Sequence, residues 1–354
     1  MTVSMRDAAE DVATIECCAC VPARFAEPIT QRRARNPFLG WQTEATVIRA
    51  WRLRDVVLDR ALMVLLRDGQ TIAETNYLQD PAAVAKLRVR HEALVVVDPG
   101  CPVISCCDHW DANYYHWVAH TLPTLHAVVQ RHPRGDAVLL LPPLAAWQAR
   151  SLDLIGAAHL PRITMAPGRQ YFLPVAEYHD FVAGRADFAV SAVSRAAYRR
   201  MSDAVGAAAR PAGLIYIDRG SAANRTVPNE AALGERLRAA GFHAVRPETL
   251  SVDQQIALFR GAAMVVGQLG AGLANIAFCE TGTVVYELIP EHHRNPCFLA
   301  MAMQGDLQYW ADVFPTGVQG EDHTSAWSVP IDVDQVMRRV AELMSLIPAS
   351  RRPR

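Results

Sequence analysis

Between residues 213 and 290, short apolar runs take turns with amphipathic stretches, and this alternation limits the fold more than any other feature of the chain. "GLIYIDRG" reads as a strand ending in charge and glycine, and "NEAALGERLRAAG" as a helix. In that helix Asn229 is placed to cap the N-terminus, Leu233, Leu237 and Ala240 share a face, and Gly241 closes it. "HAVRP", "AMVVG" and "TVVYELIP" supply further strands, and "SVDQQIALFRGA" a helix with Val252, Ile256 and Phe259 on one side. Strand and helix in turn predict a parallel sheet covered on both faces.

Upstream, "TVIRAW", "ALMVLL" and "EALVVVD" are short β-like runs, and "DAVLLLPP" is a continuous apolar run suited to a strand covered on both faces. "LAAWQARSLDLIGAAHL" follows as a helix, and residues 161–180 hold β-like pieces broken by Pro167 and Pro174. Residues 1–40, with Pro22, Pro28 and Pro37, read as an irregular arm, and "AAARPAG" at 207–213 as a linker. In the last segment Val333, Val336, Val340 and Leu343 share one helical face. The expected division is an arm (1–40), an α/β domain (41–205), a second α/β domain (206–320), and a closing helix with a tail (321–354).

A length of 354 residues has room for two domains of ordinary size. The formal charge of −1 gives no electrostatic case for nucleic acid as a partner. Cys17, Cys18 and Cys20, like Cys106 and Cys107, stand too close together for a disulfide framework or for the separated ligand pairs of a zinc site. A reduced, cytoplasmic setting is expected. Arg6, Asp7, Glu10 and Asp11 interrupt the start of the chain where a signal peptide would be apolar, and no run approaches the ~18 apolar residues of a membrane span. Any membrane association would be peripheral.

Three segments hold residues suited to chemistry. Gly267, Gly270 and Gly272 follow a strand as G-x-x-G-x-G, not as the G-x-G-x-x-G of a dinucleotide site. They suit either a tight turn packed against its strand or a phosphate held at a helix N-terminus. Arg219 and Arg225 follow another strand, at the end where parallel sheets bind ligands, and their guanidinium groups suit a diphosphate. "CCDHWDANYYHWVAHTLPTL" gathers Asp108, His109, Asp111, Asn113, His116 and His120 among aromatics. His116 and His120 share a helical face but lack the glutamate and third ligand of a zinc protease. A sugar-binding surface with a proton acceptor fits these residues, and so do histidines hydrogen-bonded for structure alone. The one Asp-x-Asp pair, Asp332 and Asp334, begins the last helix and reads as a cap, so no metal site is expected.

"NYYHWVAHTLPTL", "YIDRGSAANRTVPNEAAL", "GFHAV" and "GQLGAGLANIAF…GTVVYEL" come in an order and spacing that resemble the family 61 glycosyltransferases, over roughly residues 105–290. The resemblance implies a GT-B fold of two Rossmann-like domains with a cleft between them, the second holding a nucleotide sugar. It also implies an inverting reaction without bound metal and, as in bacterial members, a role in capsule or surface polysaccharide synthesis. Arg219, Arg225, Asn229 and Glu230 fall on the family's strand-end arginine and R-x-x-x-N-E pattern; Gly270, Ala271, Gly272, Leu273 and Asn275 fall on its glycine turn, and Glu287 on its E-[LIV]. His116 matches a motif histidine, whereas His120 and Leu269 stand where the family has Asp and His.

On this reading the donor, a UDP-sugar, is a substrate and no cofactor is needed; the acceptor is a glycan or lipid-linked hydroxyl. Arg219, Arg225 and the turn would hold the diphosphate and Glu287 the ribose, with the base in the His116–His120 pair and Asp108 or Asp111 next in order. The alternatives are a glycan- or nucleotide-sugar-binding member without turnover and, more distantly, a nicotinamide oxidoreductase.

Overall fold

The chain is seen here in a computed structural model, which describes residues 2–26, 36–206, 213–220, 224–320, 324–348 and 351. It divides into two compact units, Met1–Ala19 with Glu44–Arg200 and Cys20–Thr43 with Met201–Arg354. The linker expected at 207–212 and parts of the arm and tail lie outside the described residues.

The first unit is built on one ten-stranded sheet. Its strands are β1 (Thr2–Val3), β2 (Ala9–Cys18), β3 (Thr46–Asp59), β4 (Val64–Arg67), β5 (Gln70–Ile72), β6 (Leu94–Val96), β7 (Val103–Ser105), β8 (Val138–Leu141), β9 (Arg162–Thr164) and β10 (Gln170–His179). The order is β1-β5-β4-β3-β10-β7-β8-β9, with β2 on β3 and β6 on β10. β10, β7, β8 and β9 are parallel, but β2, β4 and β10 all pair antiparallel with β3. The sheet is therefore mixed, and this unit departs from the Rossmann-like pattern expected of it. One cause is local to β4 and β5, which are themselves antiparallel. Asp68 and Gly69 both take left-handed φ, +50° and +74°, which makes a two-residue hairpin turn between β4 and β5. Such a turn can join only antiparallel neighbours.

Residues 9–18 are a strand and not an irregular arm. "AEDVATIECC" lacks a clean apolar–polar alternation, and Glu10 and Asp11 are exposed, as suits an edge strand. Downstream of it, Phe25 packs on Tyr309 and Trp310 of the second unit.

The second unit has five strands, all parallel: β11 (Gly213–Ile217), β12 (His243–Val245), β13 (Ala262–Gln268), β14 (Val284–Pro290) and β15 (Gln308–Phe314). Their order, β12-β11-β13-β14-β15, is that of a doubly wound sheet, and the strand order reverses between β11 and β13. β13 and β14 are buried along their whole length, as their near-continuous apolar sequences require. Helices Glu230–Ala239 and Val252–Arg260 connect the first strands, and Gly241, at φ +90°, ends the first helix turn. After the glycine turn the chain makes 3-10 turns over Ala271–Phe278 in place of an α-helix. Among the described residues no helix is long and apolar enough to cross a membrane.

The last helix, Val333–Met344, buries Val336, Val340 and Leu343 in the core of this unit. It also brings Arg339 (6% exposed) onto Asp312 (fully buried) at 2.9 Å, while Tyr286 donates its hydroxyl to the same carboxylate at 3.0 Å. Removing one member of a buried ion pair leaves the other without compensation. Arg339 would still keep Glu342 at 2.5 Å, so Asp312→Ala should cost less than a fully broken pair, about 1–3 kcal/mol of unfolding free energy, read as a lowered denaturant midpoint. An unchanged midpoint would mean that the helix is held by its apolar face alone.

Candidate functional site

The histidine segment forms a helical run with a wide turn in its middle: Tyr114–His116 is α, Trp117–Thr121 is π, and Leu122–Arg131 is α again. Asn113 starts it by accepting the N–H of Tyr115 at 2.9 Å. The wide turn has a local cause. Leu122 donates its N–H to Trp117, five residues back, and Pro123 has no N–H to give. The carbonyl of Val118 thus loses its helical donors, and the hydroxyl of Tyr198 takes their place at 3.2 Å. Single π turns of this kind often accompany functional sites.

The turn aims both histidines at one oxygen. Asp108 Oδ2 lies 2.8 Å from His116 Nδ1 and 2.5 Å from His120 Nδ1, and its Oδ1 accepts the N–H of Trp110 at 2.7 Å. On its other side His120 Nε2 meets Asp187 Oδ1 at 2.7 Å, and Tyr77 donates its hydroxyl to Asp187 Oδ2 at 2.7 Å. Gly184 makes room for this contact. A Cβ there would stand 2.3 Å from the Tyr77 ring and 2.9 Å from Asp187 Oδ2, and its φ is +67°. Trp110 is 37% exposed, and its ring centroid is 4.7 Å from that of His116.

Burial alone would lower the pKa of His120, but Asp187 and Asp108 outweigh it and push the imidazole up to about 10. Burial would raise Asp108, yet its bonds to His116 and His120 hold it well below the usual carboxylate range. Asp111 is raised by burial, which exceeds the opposing effect of Arg60 at 2.6 Å. His120 is therefore an imidazolium clamped between two carboxylates.

Asp108, His116 and His120 offer donor atoms within 4.8 Å of one another, close enough to suggest a metal. Donors around a tetrahedral metal with ~2.0–2.1 Å bonds sit about 3.3 Å apart. The contacts of 2.5 and 2.8 Å are shorter and fit shared protons better. To ligate a metal, His120 would also have to give up a carboxylate and its charge.

Sequence reasoning missed Asp187, Tyr77 and Gly184, which lie far from the histidines along the chain and carry no local pattern. A second buried cluster was also missed: Glu177 receives Arg131 through two contacts of 3.1 Å and meets His179 at 2.7 Å. Its ties run from the end of the histidine helix to β10.

In the second unit, Arg219 and Gly270 emerge at the carboxyl ends of the adjacent strands β11 and β13, at the point where strand order reverses. A Cβ at Gly270 would fall 1.9 Å from Arg219 Nη1, so glycine makes space for the guanidinium. Arg219 donates to the carbonyls of Asn224 at 2.6 Å and Leu269 at 3.4 Å, and its Nε is buried with no hydrogen-bond partner among the described residues. Burial, followed by the charge of Arg219, pushes Arg225 down to about 10; burial also lowers Arg219. Arg225 takes a left-handed φ of +55°, uncommon for a side chain of its size.

The remaining motif residues, Glu287 apart, pack or hydrogen-bond within the protein. Asn229 stands at the N-cap as expected, but its side chain does not cap; its amide exchanges two hydrogen bonds with the backbone of Ile331, at 2.9 and 3.0 Å. Glu230 accepts the backbone N–H of Arg219 at 2.7 Å. Gly272 faces Ile217 at 3.3 Å, and Gly267 faces Leu273 and Ile217, so both serve close packing. Leu273 is buried and closes the turn by donating its N–H to Gly270, while Ala271 begins the 3-10 segment. Asn275 ties the turn to Gln255 at 3.0 Å. Glu287 is fully buried. Tyr309 donates to its Oε2 at 2.5 Å, its Oε1 has no partner among the described residues, and burial pushes the carboxyl up to about 8.

The sign of the His120 shift gives a test. A pKa raised from 6.5 to about 10 contributes stability that is complete below pH 6.5 and is lost as pH rises through 10. The stability gap between the parent and His120→Gln, on the order of a few kcal/mol near neutral pH, should shrink steadily toward about pH 10. A gap independent of pH in chemical denaturation would show His120 to be neutral.

No curated protein matches the chain. The family model described as Glycosyltransferase 61 matches residues 114–286, a span that takes in both histidines, both arginines and the glycine turn, begins after Asp108 and ends just before Glu287. Residues 114–286 therefore form a family 61 glycosyltransferase domain, and the protein that carries it is a glycosyltransferase.

Proposed function

We propose that the enzyme is an inverting, metal-independent transferase with a GT-B-like division of labour. The second unit holds a nucleotide-sugar donor such as a UDP-sugar, and the first presents a glycan or glycolipid hydroxyl. The setting is surface polysaccharide synthesis in the cytoplasm, with peripheral contact to the membrane. The observation that carries this reading is the placing of Arg219 beside Gly270 at the reversal point of a doubly wound sheet, where such sheets bind ligands. The charge of Arg219 lowers the affinity of Arg225 for a proton, and two guanidinium groups so placed favour an anion between them, which a diphosphate supplies. The unpartnered Oε1 of Glu287, held on a carboxyl that is largely protonated at neutral pH, suits a ribose hydroxyl once the donor reaches it.

In this mechanism the acceptor oxygen attacks the anomeric carbon opposite the diphosphate, which leaves with the bonding electrons and is stabilised by Arg219 and Arg225. His116 takes the acceptor's proton. Asp108 accepts its Nδ1–H, which leaves the lone pair on Nε2, the arrangement that orients a histidine base elsewhere. His120 is already protonated and cannot serve as the base; it positions Asp108. Trp110 offers an exposed face on which the acceptor ring can stack beside His116.

His116→Ala should lose transfer by ~10²-fold or more while keeping donor affinity, with the parent still active in excess EDTA. Loss of activity in EDTA, restored by Mn²⁺, would contradict the metal-free mechanism. Donor binding without transfer by the parent would favour a binding protein. Arg219→Ala and Arg225→Ala should each weaken UDP-sugar binding by about 1.5–3 kcal/mol in calorimetry, with folding intact. Unchanged affinity in both variants would remove the donor site from this turn.

A further inference from the structure

Away from the histidine cluster, the first unit has an open pocket of about 600 Å³ whose lining includes Arg6, Arg49, Arg185, Trp51, Glu74 and Asp180. That size suits a ligand of one or two sugar rings. Three guanidinium groups face two carboxylates there, and both carboxylates already serve protein donors. Asp180 accepts the N–H of Arg49 at 3.0 Å and Trp51 Nε1–H at 2.6 Å, and Glu74 Oε2 accepts the N–H of Met5 at 2.6 Å. None of the three arginines has a carboxylate within ion-pair distance among the described residues. Arg49 is held in place: its guanidinium lies over the Trp51 ring, 5.6 Å from the centroid, and gives one N–H to Val47. Stacking on an aromatic face leaves the edges of the fork for a planar anion.

We propose that this pocket binds an acidic saccharide, with the sugar carboxylate on Arg49, Arg6 and Arg185 and a ring hydroxyl on Glu74. A uronic acid carries both groups at the right scale. The apolar part of the lining is short (Cys17, Cys18, Ala45 and Val47) and has no slot for an acyl chain, which argues against a lipid headgroup. Residues 180–187 carry Asp180 in the pocket wall and Asp187 on His120, so the bound unit belongs to the acceptor side. That assignment to the acceptor rests on the transferase reading; the binding site itself does not.

Calorimetry on the full chain tests it with a hexuronic acid disaccharide, a neutral disaccharide of the same linkage, inorganic phosphate, and vesicles containing an anionic phospholipid. The uronate should bind at least ~10-fold tighter than the neutral sugar. The double variant Arg6→Gln/Arg185→Gln alters two exposed residues and should weaken uronate binding by about 10-fold or more, with UDP affinity and melting temperature unchanged. Equal binding of both disaccharides, a double variant that binds like the parent, or phosphate or vesicles bound as tightly as the uronate would each overturn the proposal. Uronate binding without sugar transfer would leave this site standing and count against the transferase mechanism alone.

Discussion

One carboxylate, Asp108, organises the chemistry of the first unit. It is nearly without solvent and receives two imidazoles on a single oxygen, and a cationic His120 offsets the cost of burying its charge. Asp187 supplies the second anion that keeps His120 protonated, and the Tyr77 hydroxyl satisfies Asp187 in turn. The wide helical turn at Trp117–Thr121, the missing Cβ of Gly184 and the hydroxyl of Tyr198 are each required to bring these groups within reach. His116 is the member left with a free nitrogen edge, and it lies beside an exposed indole.

The second unit depends on room rather than on charge balance. Glycine at 270 lets the guanidinium of Arg219 lie against the turn, and Glu230 fixes the backbone from which that side chain springs. Asn229 and Asn275 then bind this edge to Ile331, just ahead of the last helix, and to Gln255. Most motif residues thus serve to hold Arg219 and the glycine turn in place.

The parallel sheet of the second unit was legible because strand and helix periods alternate cleanly from Gly213 onward, and its central strands β13 and β14 are buried along their whole length. The first unit was less so. β2 is an edge strand whose exposed charges hide its period, and the Asp68-Gly69 hairpin was not weighed against a helical crossover. His116 and His120 could be placed on one face from their spacing, yet their unequal roles could not. Those follow from Asp187, 67 residues beyond His120 in the chain, and from burial that no local pattern encodes. Gly272 illustrates the reverse limit: its place in the motif suggested phosphate, and its surroundings are Ile217 and Pro247.

The most direct test of the account is the protonation of the histidine pair, read by nitrogen-15 NMR of the imidazole side chains across a pH series. At about pH 8, above the ordinary histidine value of ~6.5, the account predicts one imidazole doubly protonated, assigned to His120 by its loss in His120→Gln. It also predicts that Nδ1 of His116 carries a proton held by Asp108. Finding both rings neutral at that pH, or the His116 proton on Nε2, would contradict it.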